Sequence, residues 1–279
     1  MNSSLKTAVV SVIAGLVVSG TALTERFFAQ GAATVTSTPW VESNFPFFSS
    51  IVDARKAGAG FPANNLTPRG IVIRIGPETW AAFDVDLLRI SAIWRGKGVT
   101  PVALAPGSYN HPDRKTPGGQ SPLPEPDGSV WLANGIYPGW QIGDQVSFVD
   151  PRESAPSPEE VGRGPLPEKL GRFSAIRHVA NGVVLEYTVG DALVREHMEE
   201  VRTNDAWTFA REFTVAPSMQ PLSLVLGVTN SDVRVAVQGA GVSLEKAPLE
   251  QREGGASAWT IHVPAHQERV SFIATFSHG

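Results

Sequence analysis

From residue 171 onward, apolar and polar positions alternate with period two through run after run. RFSAIRHV, VVLEYTV, ALVREHM, WTFAREFTV, LSLVLGV, VRVAVQ, WTIHV and VSFIATF follow one another at short spacing. Short runs rich in Val, Ile, Thr and aromatic residues, bounded by turn residues, predict β-strands. In WTFAREFTV the period places Trp207, Phe209, Phe213 and Val215 on one face. Asn181-Gly182 lies between the first two runs and suits φ > 0 at both centres of a type I′ turn. Gly190-Asp191 marks the next turn. Upstream, IVIRI, WAAFD and LRISAIW repeat the pattern from Gly70 to Arg95, with a break at Gly76-Pro77. Neither a long helical period nor a βαβ alternation is visible. The expected fold is all-β, an antiparallel β-sandwich or its larger form, a two-sheet supersandwich.

The segments before and within this pattern set the expected organisation. Residues 1–33 read as a signal peptide or, if uncleaved, an anchor. Lys6 precedes an uncharged run from Thr7 to Gly20, which suits an h-region and is short for a membrane span. An extracytoplasmic location follows, periplasmic or secreted, with membrane contact only through that segment. Residues 34–60 form a connector with room for one or two helical turns, and 61–279 a single β domain. Within the domain, 101–167 hold 13 of the 22 prolines and nine glycines. That density argues against a central strand or a long helix. Trp131, Ile136, Tyr137, Trp140 and Val146 punctuate it, so it reads as a long ordered excursion over the domain. The last run stops at Phe276, so either a docked strand ends the chain or the chain is the leading piece of a longer polypeptide.

Composition removes several function classes. A formal net charge of −4 over 279 residues offers no basic footprint for nucleic acid. The absence of cysteine excludes a disulfide framework, a cysteine nucleophile, thiolate metal sites and a C-x-x-C-H haem attachment.

Four groups of residues offer chemistry. Asp84 and Asp86 in FDVDLLR share one strand face, so both carboxylates could meet one partner: Arg89, a Ca²⁺ ion or a sugar hydroxyl. A structural Asp–Arg pair and a metal or catalytic pair both fit them. The segment GSYNHPDRKTPGGQ brings Tyr109, His111, Asp113, Arg114 and Lys115 beside Gly118-Gly119. His and Tyr are suited to acid–base work and Lys or Arg to holding an anion, while the same composition suits a solvated loop. Trp131, Tyr137 and Trp140 in WLANGIYPGW would form a sugar-stacking platform with Asn134 and Gln141 at its polar edge, or else anchor the excursion by burial. On the platform reading, Trp140→Ala abolishes glycan retention and leaves the melting temperature nearly unchanged. His262 and His266 in HVPAH have helical metal spacing, but Pro264 and the strand-like flanks speak against that use. No G-x-S-x-G is present to suggest a serine nucleophile, although triads are recognised by geometry.

The stretches LTPRGIVIRIG, FDVDLLRISAIWRGKGVT, LAPGSYNHPDRKTPGGQ, WLANGIYPGW and DPRESAPSPEEVGRGPLPEKLGR together resemble the uncharacterised N-terminal domain of large multifunctional secreted bacterial proteins. Many of those also carry a c-type cytochrome or a haem-binding region. The resemblance covers Phe61 to Phe276 and implies an exported module that works beside redox or carbohydrate-processing domains. The chain itself holds no covalent haem site. The reading that follows is an exported non-catalytic β-sandwich module that binds a glycan or docks neighbouring domains. One alternative is an extracytoplasmic glycoside-hydrolase-like enzyme using Asp84 or Asp86 with Tyr109 to Lys115, and another is a structural spacer.

Overall fold

Strand-forming side chains dominate the observed architecture. A computed structural model describes residues 45–100, 123–154, 163–203, 206–249 and 256–278, all within one compact unit that spans Ser37–Gly279. Among these residues there are strands, turns and bends, and no helix. The first sheet contains β1 (Phe47–Asp53), β2 (Leu66–Arg74), β3 (Thr79–Asp84), β4 (Arg89–Val99), β5 (Pro126–Ala133), β6 (Trp140–Ile142), β11 (Leu222–Thr229), β13 (Ser243–Pro248) and β14 (Ser257–Val263). The second contains β7 (Gly171–Val179), β8 (Gly182–Val189), β9 (Ala192–Thr203), β10 (Ala206–Val215), β12 (Val233–Gln238) and β15 (Val270–His278). The nine-stranded sheet runs β1-β2-β3-β4-β5-β11-β14-β13, with β6 also paired to β11, and the six-stranded sheet runs β12-β15-β10-β9-β8-β7. Every pairing is antiparallel.

The main core lies between the two sheets. Ile71, Ile73, Phe83, Ile93, Leu222, Leu224 and Ile261 of the first sheet meet Leu185, Tyr187, Phe209, Phe213, Phe272 and Phe276 of the second. Phe209 stacks on Phe276 at 4.4 Å and Phe213 on Phe272 at 4.8 Å, two cross-strand pairs of β10 and β15. Alternation in β10 thus buries Phe209, Phe213 and Val215, with Trp207 packed partly buried beside them. At one end, Arg95 of β4 lies 3.7 Å over the Trp207 ring and Thr79 of β3 donates to Glu200 of β9 at 2.6 Å, which ties the two layers together.

The nine-stranded sheet is buried on its other face as well. There Val52, Val72, Trp80, Ala82, Trp94, Val225 and Val228 form a second core with Phe61 and Tyr137. Phe48, Ala57, Val146, Phe148 and Leu249 pack against it. Every residue of β3 is consequently buried, as continuous apolar strands covered on both sides require.

Three local expectations are corrected. The described part of the connector, residues 45–60, holds a strand and no helix, since β1 pairs with β2. A central strand does cross the proline-rich region: β5 lies between β4 and β11, with Pro126 as its first residue and no proline after it, the position that a sheet tolerates. The first hairpin turns at Ala180 and Asn181 rather than at Asn181-Gly182. Of that pair only Gly182 has positive φ, at 117°.

Candidate functional site

Asp84 closes β3 and Asp86 sits in the turn behind it, so the two do not share a strand face and each meets its own arginine. Arg89, fully buried, donates from Nε to Asp84 at 3.2 Å. Its other nitrogens donate to Asn65 Oδ1 at 3.1 Å, to the Asn134 carbonyl at 2.9 Å, to the Leu66 carbonyl at 3.3 Å and to the Gly135 carbonyl. Asp84 also accepts the turn amides of Asp86 and Leu87 at 3.0 and 3.3 Å. Burial pushes the Asp84 carboxyl above its ordinary range against the pull of the Arg89 charge, and burial lowers Arg89. Asp86 accepts from Arg69, at 2.8 Å from Nε. Both carboxylates are buried and engaged with guanidinium groups. The arrangement therefore ties β2, β3, β4 and the 134–135 backbone into one node, with both carboxylates at most 2 % exposed.

The aromatic residues lie inside the protein. Trp131, Tyr137 and Trp140 are 7, 3 and 2 % exposed. Trp131 stacks on Phe209 and His278 at 6.3 and 5.7 Å, and Tyr137 meets Phe148 edge-on at 5.1 Å. Trp140 meets Phe213 edge-on at 5.8 Å and donates its indole N–H to Tyr187 at 2.9 Å. Tyr187 donates to Glu196 at 2.7 Å, and Glu196 accepts from Arg211 at 2.7 Å. Burial raises the Tyr187 hydroxyl well above its ordinary value, and the Glu196 charge adds to the rise. Asn134, fully buried, donates to the Ile90 and Leu226 carbonyls at 2.8 and 3.1 Å and accepts from Tyr137 at 3.0 Å. Gln141 closes the following loop by accepting from Ser147 N at 2.7 Å and donating to Ser147 O at 2.8 Å. A sugar stacks on an exposed ring face, so these rings form no platform. The expectation of one is corrected by their burial, for which they serve as anchors.

One cluster escaped the sequence reading. On β11, β13 and β14, Ser223, Glu245 and His262 occur in the chain order of a nucleophile, acid and base triad. Ser223 Oγ lies 2.9 Å from His262 Nδ1, and His262 Nε2 contacts Glu245. The Ser223 hydroxyl, however, donates to the Gly143 carbonyl at 2.7 Å and is fully buried. Its proton is thus given to a carbonyl rather than to the imidazole, its oxygen is closed to a substrate, and the cluster clamps three strands to the loop at Gly143. The sequence carries no signal for it: Ser223 stands opposite His262 only through the β11–β14 pairing, and Glu245 reaches the ring from beside Thr260, two residues along β14. His266 instead joins Ser218 in an isolated bridge. Among the described residues, no group of three or more His, Asp or Glu side chains is placed to hold a metal ion. Tyr109, His111, Asp113, Arg114 and Lys115 lie outside the described residues, as do residues 1–33, expected to be a signal or anchor, and the expected connector up to residue 44.

A different surface stands open. β7 is the last strand of its sheet and pairs only with β8 among the described residues. It carries Arg172, Arg177 and His178, all exposed, and no acidic residue. Two adjoining open depressions of about 690 and 510 Å³ lie along it. Both are lined by Glu168, Arg172 and Phe173, the first also by Lys169 and Asp191, the second by Arg69, Val85 and Leu166. Arg172 is 70 % exposed in its side chain, with Glu168 at 3.5 Å. Further along, Glu186 of β8 takes Arg177 at 2.7 Å and Arg195 at 2.8 Å. The Arg177 guanidinium, with Arg195 beside it, holds the Glu186 carboxyl below its usual range. Sequence reasoning saw RFSAIRHV as a strand but had no means of placing it at an edge.

A family model described as a domain of unknown function (DUF6797) matches residues 81–196, from β3 into β9. No curated protein and no solved structure matches the chain.

Proposed function

We propose that the chain is an exported, non-catalytic β-sandwich module that docks a neighbouring domain or protein through the β7 edge of its six-stranded sheet. The observation that carries this reading is the contrast between the interior and that edge. The aspartates are held inside by arginines and the aromatic rings by other rings, whereas β7, among the described residues, presents an open strand beside two depressions. An open strand edge is a template for another chain, and although a bulge interrupts the first half of β7, Ala175 to Val179 keep a regular register. The family similarity over residues 81–196, which spans β7 and both strands beyond it into β9, is compatible with a module of this kind. Export rests on the apolar run after Lys6, and neighbouring domains on the sequence resemblance to multidomain secreted proteins.

Site-specific photo-crosslinking in the full chain, expressed in a bacterial host, tests the reading. A photoreactive residue replaces Ser174 or His178 on β7, or Arg234 or Ala236 on β12 at the opposite edge, all of them exposed. A single defined adduct from the two β7 positions, absent from the β12 positions, is the expected result. The same adduct from both edges, or none from β7, would overturn the proposal.

A further inference from the structure

We infer that the β7 edge accepts an acidic, extended peptide segment of its partner as a seventh strand of the sheet. The inference rests on the docking reading above and names its occupant. In strand addition, main-chain hydrogen bonds supply affinity and flanking depressions select alternate side chains. Both requirements are met on one strand. The bulge between Phe173 and Ala175 ends the regular register in the first half of β7, and Ala175 to Val179 then pair with β8 without a shift, from Ala175↔Glu186 to Val179↔Gly182. Those five residues form a regular template, while the depressions lie at the bulged half, around Arg172 and Phe173. The floor offered by Val85, Leu166 and Phe173 suits one apolar side chain between charged ones.

Charge selects the occupant. The protein is acidic, at −4, yet β7 carries Arg172, Arg177 and His178 and no carboxylate of its own; against Lys169, Arg172, Arg177 and Arg195 around it stand Glu168, Asp191 and Glu186, which leaves a small positive excess. The other edges differ: β1 ends on Asp53, β13 carries Glu245 with Lys246 and ends on Pro248, and β12 carries the single charge of Arg234. Pairing of two β7 strands across a twofold axis would set the basic residues of one against those of the other, which disfavours a second copy. A strand with carboxylates at alternate positions meets the opposite condition.

Two synthetic seven-residue peptides, TEVEVET and TKVKVKT, serve as probes, with an N-methylated TEVEVET as a control that cannot donate main-chain hydrogen bonds. Binding is read by fluorescence anisotropy, and its location by amide exchange along β7. TEVEVET is expected to bind, to slow exchange in Ala175 to Val179, and to weaken about tenfold with Arg172→Glu and again with Lys169→Glu, both surface positions. Rising salt should weaken it further, and the N-methylated form should not bind. Equal or tighter binding of TKVKVKT at β7 would sink the acidic occupant and leave the docking edge standing. Undiminished binding of the N-methylated peptide would sink strand addition. If neither peptide binds while β7 amides exchange freely, the acidic-strand inference fails and the docking reading survives. If β7 is already protected in the free protein, the docking reading fails with it.

Discussion

Replacing Arg89 by methionine should cost about 3–5 kcal/mol of stability, the range for removing one partner of a buried ion pair. The size follows from what the guanidinium leaves behind. Asp84 would remain buried with its charge opposed by turn amides and the Arg152 charge alone, and the Asn134, Gly135 and Leu66 carbonyls would each lose a donor. Each unsatisfied buried group adds its own penalty. Because a domain is stable by only about 5–15 kcal/mol, the variant should unfold at a much lower urea concentration. The double variant Asp84→Leu/Arg89→Met should recover part of the loss, since an apolar pair replaces a lone buried charge. A loss below about 1 kcal/mol in the single variant would mean that the node carries little of the fold.

Trp140→Ala should cost a similar amount, about 3–5 kcal/mol by the usual toll of truncating a large aromatic in a core. Trp140 sits between the sheets against Phe213 and Phe272, and its indole N–H reaches Tyr187. Its removal would open a cavity beside the Tyr187–Glu196–Arg211 chain, in which Arg211 Nη1 already lacks a hydrogen-bond partner among the described residues. Urea unfolding followed by circular dichroism reads the loss, and Trp140→Phe should retain most of the stability. The platform reading requires the reverse, an unchanged melting temperature with lost sugar retention. An unchanged midpoint would therefore return Trp140 to the surface.

The second half of the fold was legible because β8, β10, β11 and β15 obey simple alternation or continuous apolarity, and their physical causes are local. β1 and β13 were missed because FFSSIVD and SLEKAP are mixed in character, and β5 because proline density was averaged over a region whose strand begins just at Pro126. The Asp84–Arg89 pairing was foreseeable from a turn that brings residues five apart together. The aromatic residues misled for a definite reason. Period two assigns side chains to two faces, but it does not say whether the second face is wet, and here the nine-stranded sheet carries a core on each side. Edges are equally hidden, because sheet order depends on which distant strands pair. β7 alternates much as β8 does, yet among the described residues only β8 of the two has a neighbour on each side.

Amide hydrogen exchange across the free protein tests the central claim most directly, namely that β7 is an open edge while the chemically suggestive residues are interior. Alternate amides of β7 should exchange at least about a hundredfold faster than those of β8 and β9, whose strands are paired on both sides. Uniform protection of β7 at the level of β9 would show that something already covers the edge, and would contradict the account.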